Sequence, residues 1–179
     1  EDIYVGYRYF ETLPGAAERV CYPFGHGLSY TSFSLETVSA GESEGQIKVS
    51  VRVTNTGKRA GKEVVQLYYA APWGKLQKPA RCLGAFQKTR LLEPGESETV
   101  ELSFAVSDMA SFDDLGKIAP SAWVLEKGRY ALYVGNSVRD AVELDYAWEQ
   151  SETEVLVQLS ASMAPSHLPK RLLGDGSYE

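Results

Sequence analysis

Apolar and polar residues alternate with period two along most of the chain. Between Gln46 and Thr54 the apolar positions are Ile47, Val49, Val51 and Val53, with Lys48, Ser50 and Arg52 between them. That spacing marks a strand with one buried and one wet face. The same alternation runs through Thr99 to Phe104 (Val100, Leu102, Phe104), Arg129 to Val134 (Tyr130, Leu132, Val134) and Ala141 to Tyr146 (Val142, Leu144, Tyr146). Glu63 to Tyr69 is dense in β-branched and aromatic residues and predicts another strand. Phe33 to Val38, Leu83 to Lys88 and Ala122 to Leu125 are shorter candidates. Turn signals separate these runs, at Asn55-Thr56-Gly57, Glu93-Pro94-Gly95-Glu96 and Glu126-Lys127-Gly128.

Seven or eight short strands without a long helical period predict an all-β fold, an antiparallel β-sandwich of the immunoglobulin or fibronectin III-like kind. Such a sandwich takes ~100 residues, a size that residues 32–147 match. The Cys…Trp…Cys spacing of an immunoglobulin domain is missing, which favours the fibronectin-like variant. The expected core is the apolar side of the alternating strands: Val49, Val51, Val53, Leu67, Val100, Leu102, Phe104, Tyr130, Leu132 and Val134. The N- and C-terminal flanks are irregular. Residues 1–31 crowd Tyr4, Tyr7, Tyr9, Phe10, Tyr22, Phe24 and Tyr30 together, too apolar for a solvated tail, and are expected to pack on something beyond the sandwich. Thr153 to Leu159 suits a strand or a short helix equally. Pro165, Pro169 and Gly174 then interrupt regular structure, so residues 148–179 read as a linker toward a following domain.

The 179 residues carry 18 Lys and Arg against 24 Asp and Glu, a net charge of -6. That balance runs against a nucleic-acid footprint. No apolar run reaches the ~20 residues that span a bilayer. Neither nucleic acid nor membrane is therefore an expected partner. The two histidines, His26 and His167, stand in no metal-ligand spacing. His26, between Gly25 and Gly27, suits a hydrogen-bonding place in a tight turn. Cys21 and Cys82 lack a CxxC context and read as small buried thiols. No GxSxG, P-loop or dinucleotide fingerprint occurs, so no cofactor is expected. Glycoside hydrolysis needs two carboxylates flanking a bond. Glu36, Glu42, Glu44, Glu96, Glu98 and Glu101 instead fall on turns or wet strand faces, and Asp113-Asp114 reads as a loop or helix cap away from any cleft. Trp123 sits among apolar neighbours and reads as core. Trp73, in Pro72-Trp73-Gly74-Lys75, lies on a loop and is the candidate for stacking on a sugar ring, with Tyr68 as an adjunct. Absent N-x-[ST] acceptors and unpaired-looking cysteines favour a bacterial cytoplasmic setting over secretion.

Two motifs, Ile3-Tyr4-Val5-Gly6-Tyr7-Arg8-Tyr9-Phe10 and Tyr22-Pro23-Phe24-Gly25-His26-Gly27-Leu28-Ser29-Tyr30-Thr31, are similar to a pair found in glycoside hydrolase family 3. The resemblance continues through Val51 to Tyr68, Leu83 to Lys88, Leu92 to Ser97 and Gly128 to Gly135, and so covers most of Ile3 to Gly135. Enzymes of that family are mostly exo-acting β-glucosidases and related glycosidases, built from a (β/α)8-like barrel, an α/β sandwich domain and a fibronectin III-like domain. The resemblance implies that 1–31 is the end of the α/β sandwich domain and its linker, and that 32–147 is the fibronectin III-like sandwich. The family's catalytic Asp lies in a barrel motif like SDW, which this chain lacks, and the acid/base Glu and the sugar-binding residues belong to other parts. No catalytic residue is therefore expected here. The continuation from Leu168 to Glu179 resembles circularly permuted members, in which the barrel follows this domain.

The expected function is that of a non-catalytic domain bracing the catalytic domains of a family 3 glycosidase. The alternative is a carbohydrate-binding module, which would show an exposed aromatic platform on a sheet face. The expected partners are other domains of the same polypeptide and, through them, a carbohydrate. Tyr7, Arg8, Tyr9, Phe10, Phe24 and His26 are the candidates for interdomain docking. Arg8 is the one suited to a fixed polar contact, because its planar fork matches carboxylates and carbonyls.

Overall fold

The computed structural model describes residues 3–160 and 169–179, so His167 and Pro165 lie outside the described residues. Strands β1 (Phe33–Ser43), β2 (Gln46–Asn55) and β5 (Ser97–Ala105) form one antiparallel sheet in the order β1-β2-β5. Strands β3 (Val64–Ala70), β4 (Cys82–Lys88), β8 (Gly128–Gly135) and β9 (Val142–Gln150) form a second in the order β4-β3-β8-β9. Between them lie all ten expected core residues, joined by Ile47, Val65, Leu92, Met109 and Leu125. The period-two pattern thus becomes two apolar faces pressed together. Three further strands, β6 (Ser111–Asp113), β7 (Ala122–Leu125) and β10 (Glu154–Gln158), make a small outer sheet in the order β10-β7-β6.

The run at β3 that lacks alternation has a physical cause. Val65 and Leu67 face the core, while Gln66 and Tyr68 on the opposite face are buried as well. A strand covered on both sides carries apolar residues at successive positions. The cover is the N-terminal flank. It is not irregular throughout, since Tyr7–Thr12 forms a short helix, α1. The expected boundary at 147 falls inside β9, and 154–158 resolves into a strand paired with β7. Among the described residues no helix is long and apolar enough to cross a membrane.

At one end of the sandwich Asn55 is fully buried and fully bonded. Its amide nitrogen donates to the Arg59 and Leu92 carbonyls at 2.8 and 2.9 Å, and its oxygen accepts from the Thr31 hydroxyl at 2.7 Å and the Gly57 amide at 3.0 Å. One side chain therefore fixes three connections, the entry to β1 among them. At the centre of the same sheet Val51 is fully buried between Thr37 and Val100. Val51→Asp would place an unpaired carboxylate there, at a cost of several kcal/mol. The expected result is loss of near-UV circular dichroism and of a cooperative melt. An unchanged melting temperature would show that Val51 does not face the core.

Candidate functional site

The N-terminal flank lies across the outer face of the four-stranded sheet. Tyr7 stacks on Phe24 with centroids 4.5 Å apart and meets Tyr68 edge-on at 6.3 Å. Its hydroxyl accepts the Leu83 amide at 2.9 Å. The Val138 amide donates to the Phe24 carbonyl at 2.9 Å, and Gly25, at φ +87°, runs so close to the Gln66 amide that any Cβ would collide with it. Arg139 clamps the end of α1 through Glu11 at 3.0 Å and the Ala17 carbonyl at 2.9 Å. Tyr4 is buried with Leu13 and Ala16, and Tyr9 and Phe10 pack edge-on beside them.

The loop between β3 and β4 supports this arrangement. Lys78 and Glu126 form an ion pair in which both side chains are almost wholly buried. The same carboxylate accepts the Lys75 amide at 2.7 Å and the Leu76 amide at 3.2 Å, and only a glycine at position 74 leaves it room. Gln77, held between these contacts, accepts the Tyr4 hydroxyl and the Gly174 amide, each at 3.0 Å. It thereby joins the segment near residue 4 to the hairpin closed by the Leu172–Tyr178 bridge.

A cleft of about 360 Å³ opens between this loop, α1 and the outer sheet. Arg8, Tyr69, Cys82, Phe112, Asp114 and Trp123 line it, with Lys117 and Arg171 at its margin. Phe112 and Trp123 are cross-strand partners on β6 and β7, with ring centroids 5.4 Å apart. Below them Asp113 is fully buried and accepts four consecutive backbone amides, those of Gly116, Lys117, Ile118 and Ala119, at 2.6–3.0 Å. Burial pushes its carboxyl up, but the four amides outweigh burial and hold it below its ordinary value.

Several expectations change here. Trp123 is 43% exposed at the cleft wall and is not core. Cys21 is exposed and Cys82 buried, so they neither pair nor share one environment. Tyr68 is fully buried and cannot join a platform with Trp73. Trp73 is exposed, but one ring edge lies against Gly174. Asp114 borders a cleft, where a cap or plain loop was expected. His26 sits in a turn, its amide donating to the Pro23 carbonyl at 2.9 Å, with its ring stacked on Tyr22. Of the docking candidates, Tyr7, Arg8, Tyr9 and Phe10 are half-buried, and Phe24 is more than 40% exposed. Lys78, Gln77 and Glu126 carry no sequence signal for this role, because charged and polar residues beside turns ordinarily face solvent. Among the described residues no three His, Cys, Asp or Glu side chains are grouped to hold a metal ion.

Residues 63–138 match the family model described as the fibronectin type III-like domain. With the three-plus-four strand arrangement, this defines the chain as the carrier of a fibronectin type III-like domain. Over its whole length it is 55% identical to β-glucosidase A of Butyrivibrio fibrisolvens, covering 23% of that protein. It is 44% identical over 97% of its length to a β-glucosidase of Ruminococcus albus, covering 18% of it. The crystal structure of a β-glucosidase from Paenibacillus barengoltzii matches all of the chain at a TM-score of 0.92 and 46% identity, with 21% of that structure covered. The glycoside hydrolase family 3 β-glucosidase of Bifidobacterium adolescentis matches 79% of the chain at a TM-score of 0.67 and 32% identity, with 21% covered. The chain is therefore similar to a segment of these β-glucosidases and carries a fibronectin type III-like domain, and it spans only about a fifth of the relatives' length.

Two substitutions test this architecture. Glu126→Ala strands the Lys78 ammonium and two amides, so it is expected to cost about 3–5 kcal/mol in chemical denaturation. Lys78→Met combined with Glu126→Gln should recover part of that loss. A cost for Glu126→Ala below about 1 kcal/mol would remove the pair from its central place. Asp113→Asn is expected to cost about 1–3 kcal/mol at pH 7. Because folding lowers the Asp113 pKa, its contribution is present above the unfolded value of ~3.9 and is lost as pH falls through the lower folded value. The gap between wild type and variant should therefore close in acid, and a gap independent of pH would contradict the assignment.

Proposed function

We propose that this chain is a non-catalytic part of a larger β-glucosidase-type polypeptide, in which it braces the parts that carry the chemistry. The observation that supports this most is the strap leading into β1. Leu28 and Tyr30 are each 95% exposed and Tyr22 is 73% exposed. Large apolar side chains bared in one short stretch mark a surface that another element covers. The same flank is tied to the sandwich through Tyr7, Phe24 and Gly25, so the strap is held out on a fixed base. Tyr7, Arg8, Tyr9, Phe10, Phe24 and His26 then form this chain's side of the junction. For a carbohydrate-binding module, the described strands offer Phe86, exposed on β4, and the Phe112–Trp123 pair on the outer sheet, and neither Trp73 nor Tyr68 extends that pair into a row.

In the complete polypeptide, Leu28→Ser combined with Tyr30→Ser is expected to lower stability by about 2–4 kcal/mol, the scale of buried apolar truncations. Exposed side chains would tolerate the change within about 0.5 kcal/mol. That smaller effect would overturn the bracing role.

A further inference from the structure

The lining of the cleft divides into two kinds of surface. One is aromatic. Phe112 and Trp123 stand side by side on β6 and β7 with their rings inclined at 53°, and Trp123 is 43% exposed. The other is polar and largely paired within itself. Asp114 holds Arg171, and Lys117 holds Glu179 at 2.7 Å. Arg8 brings further N–H donors to the lining. Asp108 brings an acceptor, since among the described residues it uses one oxygen, on the Ala105 amide at 3.1 Å. These groups stand on prepared supports. Asp113, bonded to four consecutive amides, fixes the loop that carries Asp114 and Lys117. The buried Lys78–Glu126 pair fixes the loop that carries Gln77. Groups ordered in advance lose little freedom when a ligand arrives.

This chemistry narrows the ligand. An ionic ligand entering here competes with pairs already made. A hydroxyl does not, because it donates to a paired carboxylate or accepts from a paired guanidinium while the pair stays closed. Charges beyond the lining act weakly on an uncharged molecule, so the reading rests on the lining alone. A sugar ring combines the two properties required, an apolar C–H face that packs on an aromatic ring and a rim of hydroxyls. At about 360 Å³ the cleft is near the lower end of ligand pockets, about 300–1,000 Å³, which suits one or two rings and not a polymer. We propose that the cleft is a saccharide site that takes one uncharged pyranose ring, stacked at Trp123 and Phe112 with its hydroxyls on Asp108, Asp114 and Arg8. It needs no aromatic row, because it holds a single ring, and it stands independently of the bracing role.

The test uses the complete polypeptide labelled with 5-fluorotryptophan and read by fluorine NMR, with the signals assigned through Trp123→Phe and Trp73→Phe. D-Glucose, D-galactose and D-xylose are the probes. At least one of them is expected to move the Trp123 signal saturably, with a Kd of roughly 1–10 mM. The Trp73 signal, from a residue outside the lining, is expected to stay in place. Arg8→Met and Phe112→Leu should each weaken the response about three- to tenfold, with the unmoved Trp73 signal showing that the fold is intact. No movement of the Trp123 signal with any of the three sugars up to about 100 mM would overturn the proposal. Movement with inorganic phosphate but not with sugars would make the cleft an anion site and overturn it as well. So would movement of Trp73 in place of Trp123, or an affinity unchanged in both variants.

Discussion

The buried Lys78–Glu126 pair is the contact on which the functional face depends. An ion pair taken out of water is favourable only when its remaining lone pairs and protons find partners, and here both groups make further hydrogen bonds. The carboxylate takes two loop amides, and Lys78 also donates to the Leu76 carbonyl at 3.3 Å. In satisfying them the loop acquires one conformation. That conformation places Gln77 between Tyr4 and Gly174 and sets the Ala80 amide against the Thr12 hydroxyl at 2.8 Å. The cleft is the space left between this loop and the outer sheet.

The sandwich supplies the rigid base for that face. Its apolar core leaves the outside of β3 free to accept a second layer, and the aromatic flank provides it. The two-sided burial of β3 gives the seven-strand sandwich a built-in second layer. Asn55 secures the far end of that layer, through the hydroxyl of Thr31, where the strap becomes β1. Fixed at both ends, the strap carries Leu28 and Tyr30 into solvent at a defined place.

The fold was legible because period-two alternation reports burial directly. Every alternating run became a strand and the ten expected core residues are all buried, although Val142, on the apolar side of its run, is exposed. β6 and α1, at three and six residues, are too short to show a period. The cleft was not legible. Lys78 and Glu126 stand 48 positions apart, and no local pattern distinguishes a charged residue beside a turn that is buried from one that is wet. Trp123 misled for the opposite reason. Apolar neighbours in sequence place it on a strand, but only the outer sheet's position decides which face it shows.

The central claim is that this module presents one prepared face to the rest of a larger polypeptide. A structure of the complete polypeptide tests it most directly. The account predicts that Leu28 and Tyr30 are buried against residues outside this chain. Finding the strap open to solvent in that structure would contradict it.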